Sequence, residues 1–311
     1  MRRYLAAACM AVGIVAACSD DPTGLGDATD EDRDAVVAAL DASGWFTDAF
    51  GTDGAAEDLN LSASFDLNLS SVAAQDTVPL VRRWGRRHGQ PVNHVLTVSV
   101  TGDTAEAQLV VTFDGAFVLD RTPDDGQPPT QKPLQEQAVQ RAVLVRRAEG
   151  DSADRPWKLV ALSLREWRMT DEAARTVRIT RVAVRVNGEI KLEVEDPTEL
   201  FQVDNRIPRL EVGDSVAVLA EVENTTGIDN EPPTFVFLHV FHHGPNASGW
   251  VRIPMRRRDD GAFVRHWIVR FAGRERMVVD AIDSQAFNTD AEDDYRASGW
   301  GIPYRSVSRE P

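Results

Sequence analysis

Alternation between apolar and polar residues constrains this fold more than any other feature of the sequence. Residues 94–113 read HVLTVSVTGDTAEAQLVVTF, in which two alternating runs flank Gly102-Asp103. A period of two puts every second side chain on one face of a strand, and a Gly-Asp pair between two such runs is typical of a tight turn. The segment therefore predicts an antiparallel hairpin. By the same pattern, Asp114-Gly115 predicts a second turn, and AFVLDR, residues 116–121, predicts a third strand.

More strands are predicted along the rest of the chain. A proline-rich loop from Arg121 to Pro133 precedes EQAVQRAVLVRRA and RPWKLVALSLREW, which predict two long strands. Beyond Asp171, turn-forming residues separate seven short runs that are rich in β-branched and aromatic residues. These runs are TVRITRVAVRV, EIKLEVED, GDSVAVLAEVEN, PTFVFLHVFHH, GWVRIPM, GAFVRHWIVRF and RMVVDAIDS. Seven short strands at this spacing predict an antiparallel sandwich.

A helix is predicted before the first strand. Thr29 or Asp30 can cap it, acidic residues occupy its first turn, and AVVAALDASGWF, residues 35–46, has apolar residues at helical spacing. Gly44 is expected to end this helix, because glycine readily adopts the left-handed conformation that closes a helix. Trp45 and Phe46 would then turn back onto the core.

A second helix is predicted over Asp76 to Gly89, which reads DTVPLVRRWGRRHG. Thr77 can cap it, and Pro79 falls in its first turn, where proline is tolerated. Helical spacing puts the apolar residues Leu80, Val81 and Trp84 on one face and the arginines Arg82, Arg83, Arg86 and Arg87 on the opposite face. The basic face is either solvated or contacts an anion or phospholipid headgroup.

The predicted order is helices first and a curved antiparallel sheet afterwards. This order, together with the segments VTGDTAEAQLVVTFDGAFVL and PWKLVALSLREW, resembles the cone-shaped superfamily of ketosteroid isomerase, the SnoaL polyketide cyclases and nuclear transport factor two. GDSVAVLAEVEN, DDGAFVRHWIVRF and RMVVDAIDSQAFN are similar to bacterial immunoglobulin-like modules. The resemblances imply an α+β fold class, in which a cone-like domain of helices on a curved antiparallel sheet, residues 30–171, is followed by an all-β immunoglobulin-like sandwich, residues 172–311.

The cone resemblance also implies a concave pocket. Its candidate lining residues are Trp45, Phe46, Trp84, His94, Asp114 and Trp157. Ketosteroid isomerases combine a carboxylate base with a tyrosine and a protonated acid. The only tyrosines here are Tyr4, Tyr295 and Tyr304, all outside the cone-like segment. No catalytic residue is therefore predicted, and an isomerase or hydratase would have to use His94 or Asp114.

The N-terminus reads MRRYLAAACMAVGIVAAC, a pair of arginines and a short apolar run that ends at Cys18. The final VAAC resembles the bacterial lipobox, which implies cleavage after Ala17, a lipid on Cys18 and an acidic tether over residues 18–29. A bilayer-spanning helix needs about 20 apolar residues, so this run is too short for one. An ordinary secretory signal is the alternative, and Cys9 is the weaker lipidation candidate because little apolar run precedes it.

The lipobox implies a location and a partner. The processed chain would be held in the cell envelope, facing the periplasm or the cell exterior, with the membrane as its partner through the lipid on Cys18. Ser19 after the cysteine favours the outer membrane over the inner one. Cys9 and Cys18 are the only cysteines, so the chain beyond them has no disulfide or cysteine nucleophile. The net charge of −15 argues against a nucleic-acid partner.

No metal site or cofactor is predicted. HVFHH, residues 239–243, is expected in a strand, where its histidines do not converge on one metal ion and instead face solvent. DAIDSQAFNTDAEDD, Asp280 to Asp294, has oxygen ligands that suit calcium, but it lacks the spacing of a calcium loop, and a solvated acidic loop is the other interpretation. Six of the seven tryptophans, all but Trp84, are expected either to pack in the core or to stack on sugars.

Together these observations predict a lipid-anchored envelope protein that binds or has a structural role, without catalytic activity of its own. An envelope protein or a glycan is its expected partner. The alternative is a cone domain that binds a small molecule or catalyses an isomerisation or hydration in an apolar pocket.

Overall fold

The structure is a computed structural model, and it describes residues 29–46, 83–120, 126, 128–148, 156–227, 233–243, 248–288 and 295–309. Strands dominate these residues. The elements are α1 (Asp30–Ser43), β1 (Arg83–Thr101), β2 (Thr104–Asp120), β3 (Thr130–Arg146), β4 (Trp157–Leu162), β5 (Arg165–Met169), β6 (Val177–Val186), β7 (Glu189–Val194), β8 (Phe201–Gln202), β9 (Arg209–Glu211), β10 (Ser215–Asn224), β11 (Thr234–His243), β12 (Ser248–Pro254), β13 (Arg256–Arg257), β14 (Phe263–Ile268), β15 (Gly273–Asp283), α2 (Gln285–Asn288) and β16 (Ala297–Val307).

The predicted α+β fold class was wrong, because the described chain is mostly β and has no layer of helices on a sheet. The first predicted helix is confirmed as α1. Thr29 Oγ1 accepts a hydrogen bond from the backbone N–H of Asp32, and Gly44 has a φ of 73° at the C-terminal cap. These local capping signals work because they do not depend on distant parts of the chain.

The second predicted helix was wrong where the structure describes it. Residues 83–89 form the start of β1 and pair with β2, with Trp84 opposite Leu119 and Arg86 opposite Phe117. Trp84 and Arg86 are buried and Arg87 is exposed, which is the period-two pattern of a strand. Long-range pairing overrode the helix-capping signals, which lie in residues 76–82 outside the described chain.

The β1–β2 hairpin confirms the turn at Gly102-Asp103, since Thr101 pairs with Thr104. The turn predicted at Asp114-Gly115 was wrong, because β2 continues straight through it. A Cβ atom at Gly115 would lie 2.2 Å from the carbonyl oxygen of Arg87. The glycine therefore permits close contact between two strands, next to the register shift at residues 88–91 of β1, instead of turning the chain.

One large sheet has eleven strands, in the order β1-β2-β3-β5-β16-β15-β11-β12, with β4, β8 and β9 attached beside this path. The predicted long strand RPWKLVALSLREW is divided into β4 and β5, and both pair with β3. β5 then pairs with β16 near the C-terminus. Strands from both sides of residue 171 therefore share a single sheet.

A small sheet packs on the C-terminal half of the large sheet. Its order is β13-β14-β10-β6-β7. Val184 and Val218 of the small sheet share a buried cluster with Val279, Trp300 and Ile302 of the large sheet. This part of the chain is sandwich-like, as predicted. However, one of its layers belongs to the sheet that begins at β1, which overturns a cone followed by a separate immunoglobulin-like sandwich.

The large sheet curls so that its two edge strands approach each other. Arg252 of β12 donates to the backbone carbonyl of Trp84 in β1 at 2.9 Å. Its guanidinium lies 3.3 Å from the centre of a Trp84 ring. The concave face contains two buried clusters, one around Trp157 and Trp167 and the other around Trp84 and Phe287.

Candidate functional site

A cleft opens where the end of α1 meets β4, β9, β15 and β16, and it has a volume of about 320 Å³. The residues that line it are Ala39, Ala42, Ser43, Trp45, Arg147, Trp157, Lys158, Leu159, Val203, Asp204, Ile207, Arg209, Arg274 and Arg305. A volume near 300 Å³ is at the lower end of the range for small-molecule pockets. The cleft is therefore large enough for a compact organic ligand.

Three arginines form a row along one wall of the cleft, and we call Arg209, Arg305 and Arg274 the arginine row. Arg305 of β16 pairs with Arg209 of β9 on one side and with Arg274 of β15 on the other. All three are exposed, and all three line the cleft. Because neighbouring strands are about 4.8 Å apart, the row extends across about 10 Å of the sheet.

Two side chains of the arginine row have no partner among the residues that the structure describes. Arg274 donates from Nη1 to the Ser43 carbonyl at 2.8 Å, and its guanidinium lies 5.0 Å from the centre of the Trp45 ring. The side chains of Arg209 and Arg305 make no hydrogen bond or ion pair within the described chain, and the same holds for Arg147. No described side chain occupies these three guanidinium groups.

The cleft is strongly positive in an acidic protein. Four arginines and Lys158 line it, against a single carboxylate, Asp204. Lys158 and Asp204 are paired at 2.9 Å, so they largely neutralise each other. The whole chain has a net charge of −15. A positive cleft in such a molecule attracts anions locally although the protein as a whole repels them.

The floor of the cleft is largely apolar. Trp157 is fully buried, and Trp45 is buried beneath Arg274. The Trp45 backbone carbonyl accepts hydrogen bonds from Arg276 and, at 3.5 Å, from Gln140. Gly44 makes this possible, because its left-handed conformation turns the chain from α1 onto the sheet. Leu159, Val203 and Ile207 add apolar surface.

A second cluster of charges is buried inside the curled sheet, and we call Arg86, His88, Glu136, His239, Asp280 and Tyr295 the charge network. Arg86 donates from Nη1 and Nη2 to the two carboxylate oxygens of Asp280, each at 2.7 Å. It also donates from Nε to the Tyr295 hydroxyl at 2.5 Å. Tyr295 in turn donates to Glu136 Oε1 at 2.5 Å.

Two histidines complete the charge network. His88 Nε2 lies 3.1 Å from Glu136 Oε2, and His239 Nε2 lies 3.2 Å from Asp280 Oδ2. An ionised carboxylate only accepts hydrogen bonds, so each histidine donates through Nε2–H. All six side chains lie on strands or next to them, and the five charged or imidazole side chains that form the ion pairs are at most 5 % exposed.

Burial and the opposite charges act in different directions on this network. Burial raises the pKa of Asp280, but the charges and hydrogen bonds of Arg86 and His239 outweigh it and hold that pKa well below its ordinary value. The pKa of Glu136 is lowered in the same way by Arg86 and His88. Burial raises the pKa of Tyr295 well above its ordinary value, and the neighbouring carboxylates add to the shift.

The charge network joins strands that are far apart in the sequence. Arg86 and His88 come from β1, Glu136 from β3, His239 from β11 and Asp280 from β15. The charge network was not predicted from the sequence, because Arg86 was expected on the basic face of a helix. The alternation in Trp84-Gly-Arg86-Arg-His88 is the signal that could have revealed a strand with an inward-facing arginine.

The predicted pocket residues are divided between several places. Trp45 and Trp157 line the cleft, whereas Phe46 is buried beside them in the same cluster. Trp84 packs in the other aromatic cluster with Phe237 and Phe287, at ring-centre distances of 4.8 and 4.9 Å. His94 and Asp114 are exposed on β1 and β2 and do not line the cleft. Ala17 and Cys18 lie outside the described residues.

The predicted acidic loop and histidine strand also differ from expectation. Asp280 is in β15 and pairs with Arg86, and the buried Asp283 accepts from the backbone N–H of Gln285 at 2.8 Å. Protein donors therefore occupy both carboxylates, while residues 289–294 lie outside the described chain. HVFHH is in β11, as predicted, but His239 is buried instead of solvent-facing. The described residues contain no cluster of ligands that could hold a metal ion.

Comparison with known proteins gives no match for this chain: no family model, no curated protein and no solved structure matches it. Among the described residues, neither helix has the length and apolar character needed to cross a membrane.

Proposed function

We propose that this protein is a lipid-anchored binding protein of the cell envelope whose cleft binds an anionic ligand. The observation that carries the proposal is the arginine row, Arg209, Arg305 and Arg274, paired side by side on three neighbouring strands. Like charges placed directly opposite each other on neighbouring strands destabilise a sheet. An anion bound between them removes this repulsion, so the arrangement favours the occupied state.

The surroundings of the arginine row also support ligand binding. Arg209, Arg305 and Arg147 have no carboxylate partner within the described chain. The adjoining floor of Trp45, Trp157 and aliphatic side chains offers apolar surface for the organic part of a ligand. A cleft that combines an apolar floor with a few convergent polar groups is the usual form of a small-molecule site.

The envelope address comes from the N-terminal sequence. VAAC at residues 15–18 resembles a lipobox, and the proposed tether of residues 18–29 leads directly into α1. At its full extension this tether would reach about 40 Å from the lipid. The last turn of α1 forms one wall of the cleft. The ligand would therefore be met close to the membrane that carries the protein, either free or as part of an envelope glycan or protein.

Two measurements test the two halves of this proposal. Intact mass spectrometry of the protein extracted from membranes should show loss of residues 1–17 and a lipid adduct on Cys18, which Cys18→Ser should abolish. Isothermal titration with benzoate, phenyl sulfate and phenyl phosphate at low salt should detect binding by at least one of these organic anions. A chain with an unmodified N-terminus would contradict the anchor.

Paired arginine variants locate the binding. The double variant Arg209→Gln/Arg305→Gln should lose the titration signal. Arg178→Gln/Arg185→Gln is the matched control, because both arginines are exposed on β6 of the small sheet and the change of charge is the same. Absence of binding by all three anions, or binding that survives the cleft variant, would contradict an anion-binding cleft.

A further inference from the structure

We infer that the ligand of the cleft carries a terminal phosphate monoester, which is held between Arg209 and Arg305, and an apolar or aromatic body that lies on the floor of the cleft. This inference rests on the proposed anion-binding function and specifies its ligand class. Three features of the cleft support it: the side-by-side position of Arg209 and Arg305, the number of positive charges, and the apolar floor.

The arginine pair suits a tetrahedral anion. Arg209 and Arg305 lie side by side on the parallel strands β9 and β16, about 4.8 Å apart. Each guanidinium is a planar fork that can donate two parallel hydrogen bonds. Two such forks side by side can donate to different oxygens of one anion. A phosphate monoester has three terminal oxygens that are not in one plane with its phosphorus, whereas the two oxygens of a carboxylate share one plane.

The charges in the cleft favour a dianion. Lys158 and Asp204 pair with each other, and Arg147, Arg209, Arg274 and Arg305 form no ion pair with any described carboxylate. A phosphate monoester carries a charge of about −1.5 to −2 at pH 7, compared with −1 for a carboxylate or a sulfate ester. Arg274 donates one N–H to the Ser43 carbonyl, and its other N–H groups can donate to an anion bound at the arginine row. Electrostatic attraction therefore selects the more highly charged anion.

The floor of the cleft favours an organic ligand over inorganic phosphate. Leu159, Val203 and Ile207 lie among the lining residues, with Trp157 beneath them. Burial of apolar area contributes about 25 cal/mol per Å², so a body in contact with these side chains adds affinity that a bare phosphate ion lacks. The same group could belong to a free organic phosphate or to a lipid headgroup with a terminal phosphate.

Titration of the purified, processed full-length protein with phenyl phosphate, phenyl sulfate and benzoate tests this inference. These probes share one aromatic ring and differ in the shape and charge of the anion. We expect phenyl phosphate to bind at least tenfold more tightly than either monoanion. We also expect Arg209→Gln and Arg305→Gln each to weaken its binding at least tenfold, and Arg185→Gln on the small sheet to leave it unchanged.

The pH dependence provides an independent readout. The second pKa of a phosphate monoester is about 6, so phenyl phosphate should bind more weakly between pH 7 and pH 5 as it becomes a monoanion. Benzoate remains a monoanion across this interval and serves as the control. Equal affinities for benzoate and phenyl phosphate, or a flat pH profile for phenyl phosphate, would overturn the phosphate assignment while leaving anion binding intact. Failure of all three probes would instead overturn the proposed function.

A vesicle arm separates the two sources of the phosphate. Phosphatidylcholine vesicles with and without 10 mol % phosphatidic acid are added in competition with phenyl phosphate. Competition that requires phosphatidic acid supports a lipid headgroup as the natural source. Undiminished phenyl phosphate binding in the presence of both vesicles supports a free organic phosphate. Displacement by pure phosphatidylcholine vesicles would overturn the phosphomonoester assignment, because that lipid carries only a diester.

Discussion

Arg86 and Asp280 are 194 residues apart in the sequence, yet their side chains form a two-pronged ion pair with both N–O distances at 2.7 Å. This pair connects the first strand of the large sheet with a strand near the C-terminus. The guanidinium is shared with Tyr295, which also donates to Glu136. The ends of the described chain are therefore joined through buried charges, whose loss leaves an uncompensated ion in the interior.

Asp280→Ala should lower the free energy of unfolding by about 3–5 kcal/mol, because it removes the carboxylate that forms two hydrogen bonds with the buried Arg86. Urea unfolding measures this loss. Asp280→Asn keeps the size of the side chain and serves if the alanine variant does not fold. Glu199→Gln, which removes the exposed partner of Arg206, is the control and should cost less than about 1 kcal/mol. A similar small loss for Asp280→Ala would contradict the role of the ion pair.

Acid should destabilise the protein through the same network. The pKa values of Asp280 and Glu136 are lowered in the folded state, chiefly by Arg86 against the effect of burial. Groups with lowered pKa values stabilise the fold above their unfolded pKa values of about 4, and this stability is lost as the pH falls through the folded values. Unfolding free energy should therefore change little from pH 6 to about pH 5 and fall progressively from about pH 4 to about pH 2. Glu136→Gln should show a shallower dependence, and an unchanged slope would contradict the prediction.

Alkaline pH should destabilise the protein by ionising Tyr295 and Tyr304. Burial raises the pKa of Tyr295 and, helped by Glu275, that of Tyr304. Their contribution to stability is complete below the unfolded pKa of about 10 and is lost as the pH rises above it. The absorbance of the phenolate should therefore appear at the same pH as unfolding, which circular dichroism monitors. The sample is protein without residues 1–17, so that Tyr4 does not contribute. Ionisation of both tyrosines near pH 10 in folded protein would rule this out.

The sequence predicts what local signals control. α1 was predicted correctly because Thr29 and Gly44 cap it within the segment itself. The start of β1 was not, because helical spacing in residues 76–89 competes with pairing to residues 115–120 that only the folded chain supplies. The order of strands in the large sheet likewise depends on pairs far apart in sequence.

In the candidate site, too, some residues could be predicted from the sequence and others could not. Trp45 and Trp157 were predicted as pocket residues, and they do line the cleft. The arginine row was not predicted, because Arg209, Arg274 and Arg305 occur singly on three separate strands. Parallel pairing of β9 with β16, together with antiparallel pairing of β15, brings them into register. No periodicity within one segment contains that information.

Glycines of β16 make room for a tryptophan beside the cleft. A Cβ atom at Gly301 would lie 2.7 Å from Cδ of Arg276 and 2.8 Å from Cζ3 of Trp167, whereas the nearest atom to a Cβ at Gly299 would be 3.5 Å away. Gly301→Ala should therefore destabilise the protein by about 1–3 kcal/mol, the usual result of overpacking. Gly299→Ala, two residues away in the same strand, is the matched control and should cost less. Equal losses in thermal or urea unfolding would contradict this explanation.

Arg305 lies between two other arginines, so its removal should stabilise the protein in the absence of ligand. Repulsion between directly opposed like charges is worth about 0.2–1 kcal/mol per pair, and Arg305 has such a neighbour on each side. Arg305→Gln should raise the free energy of unfolding at low salt, and the gain should shrink near 1 M salt because screening shortens the range of the repulsion.

Arg185→Gln is the control for this gain, because Arg185 is exposed on β6 and its cross-strand partners are the uncharged residues Ala217 and Ile190. It should produce no comparable stabilisation. If Arg305→Gln instead destabilised the protein, Arg305 would contribute to the fold, and the argument that its position favours a bound anion would be wrong. Stabilisation with loss of anion binding would show that the row lowers stability in order to bind its ligand.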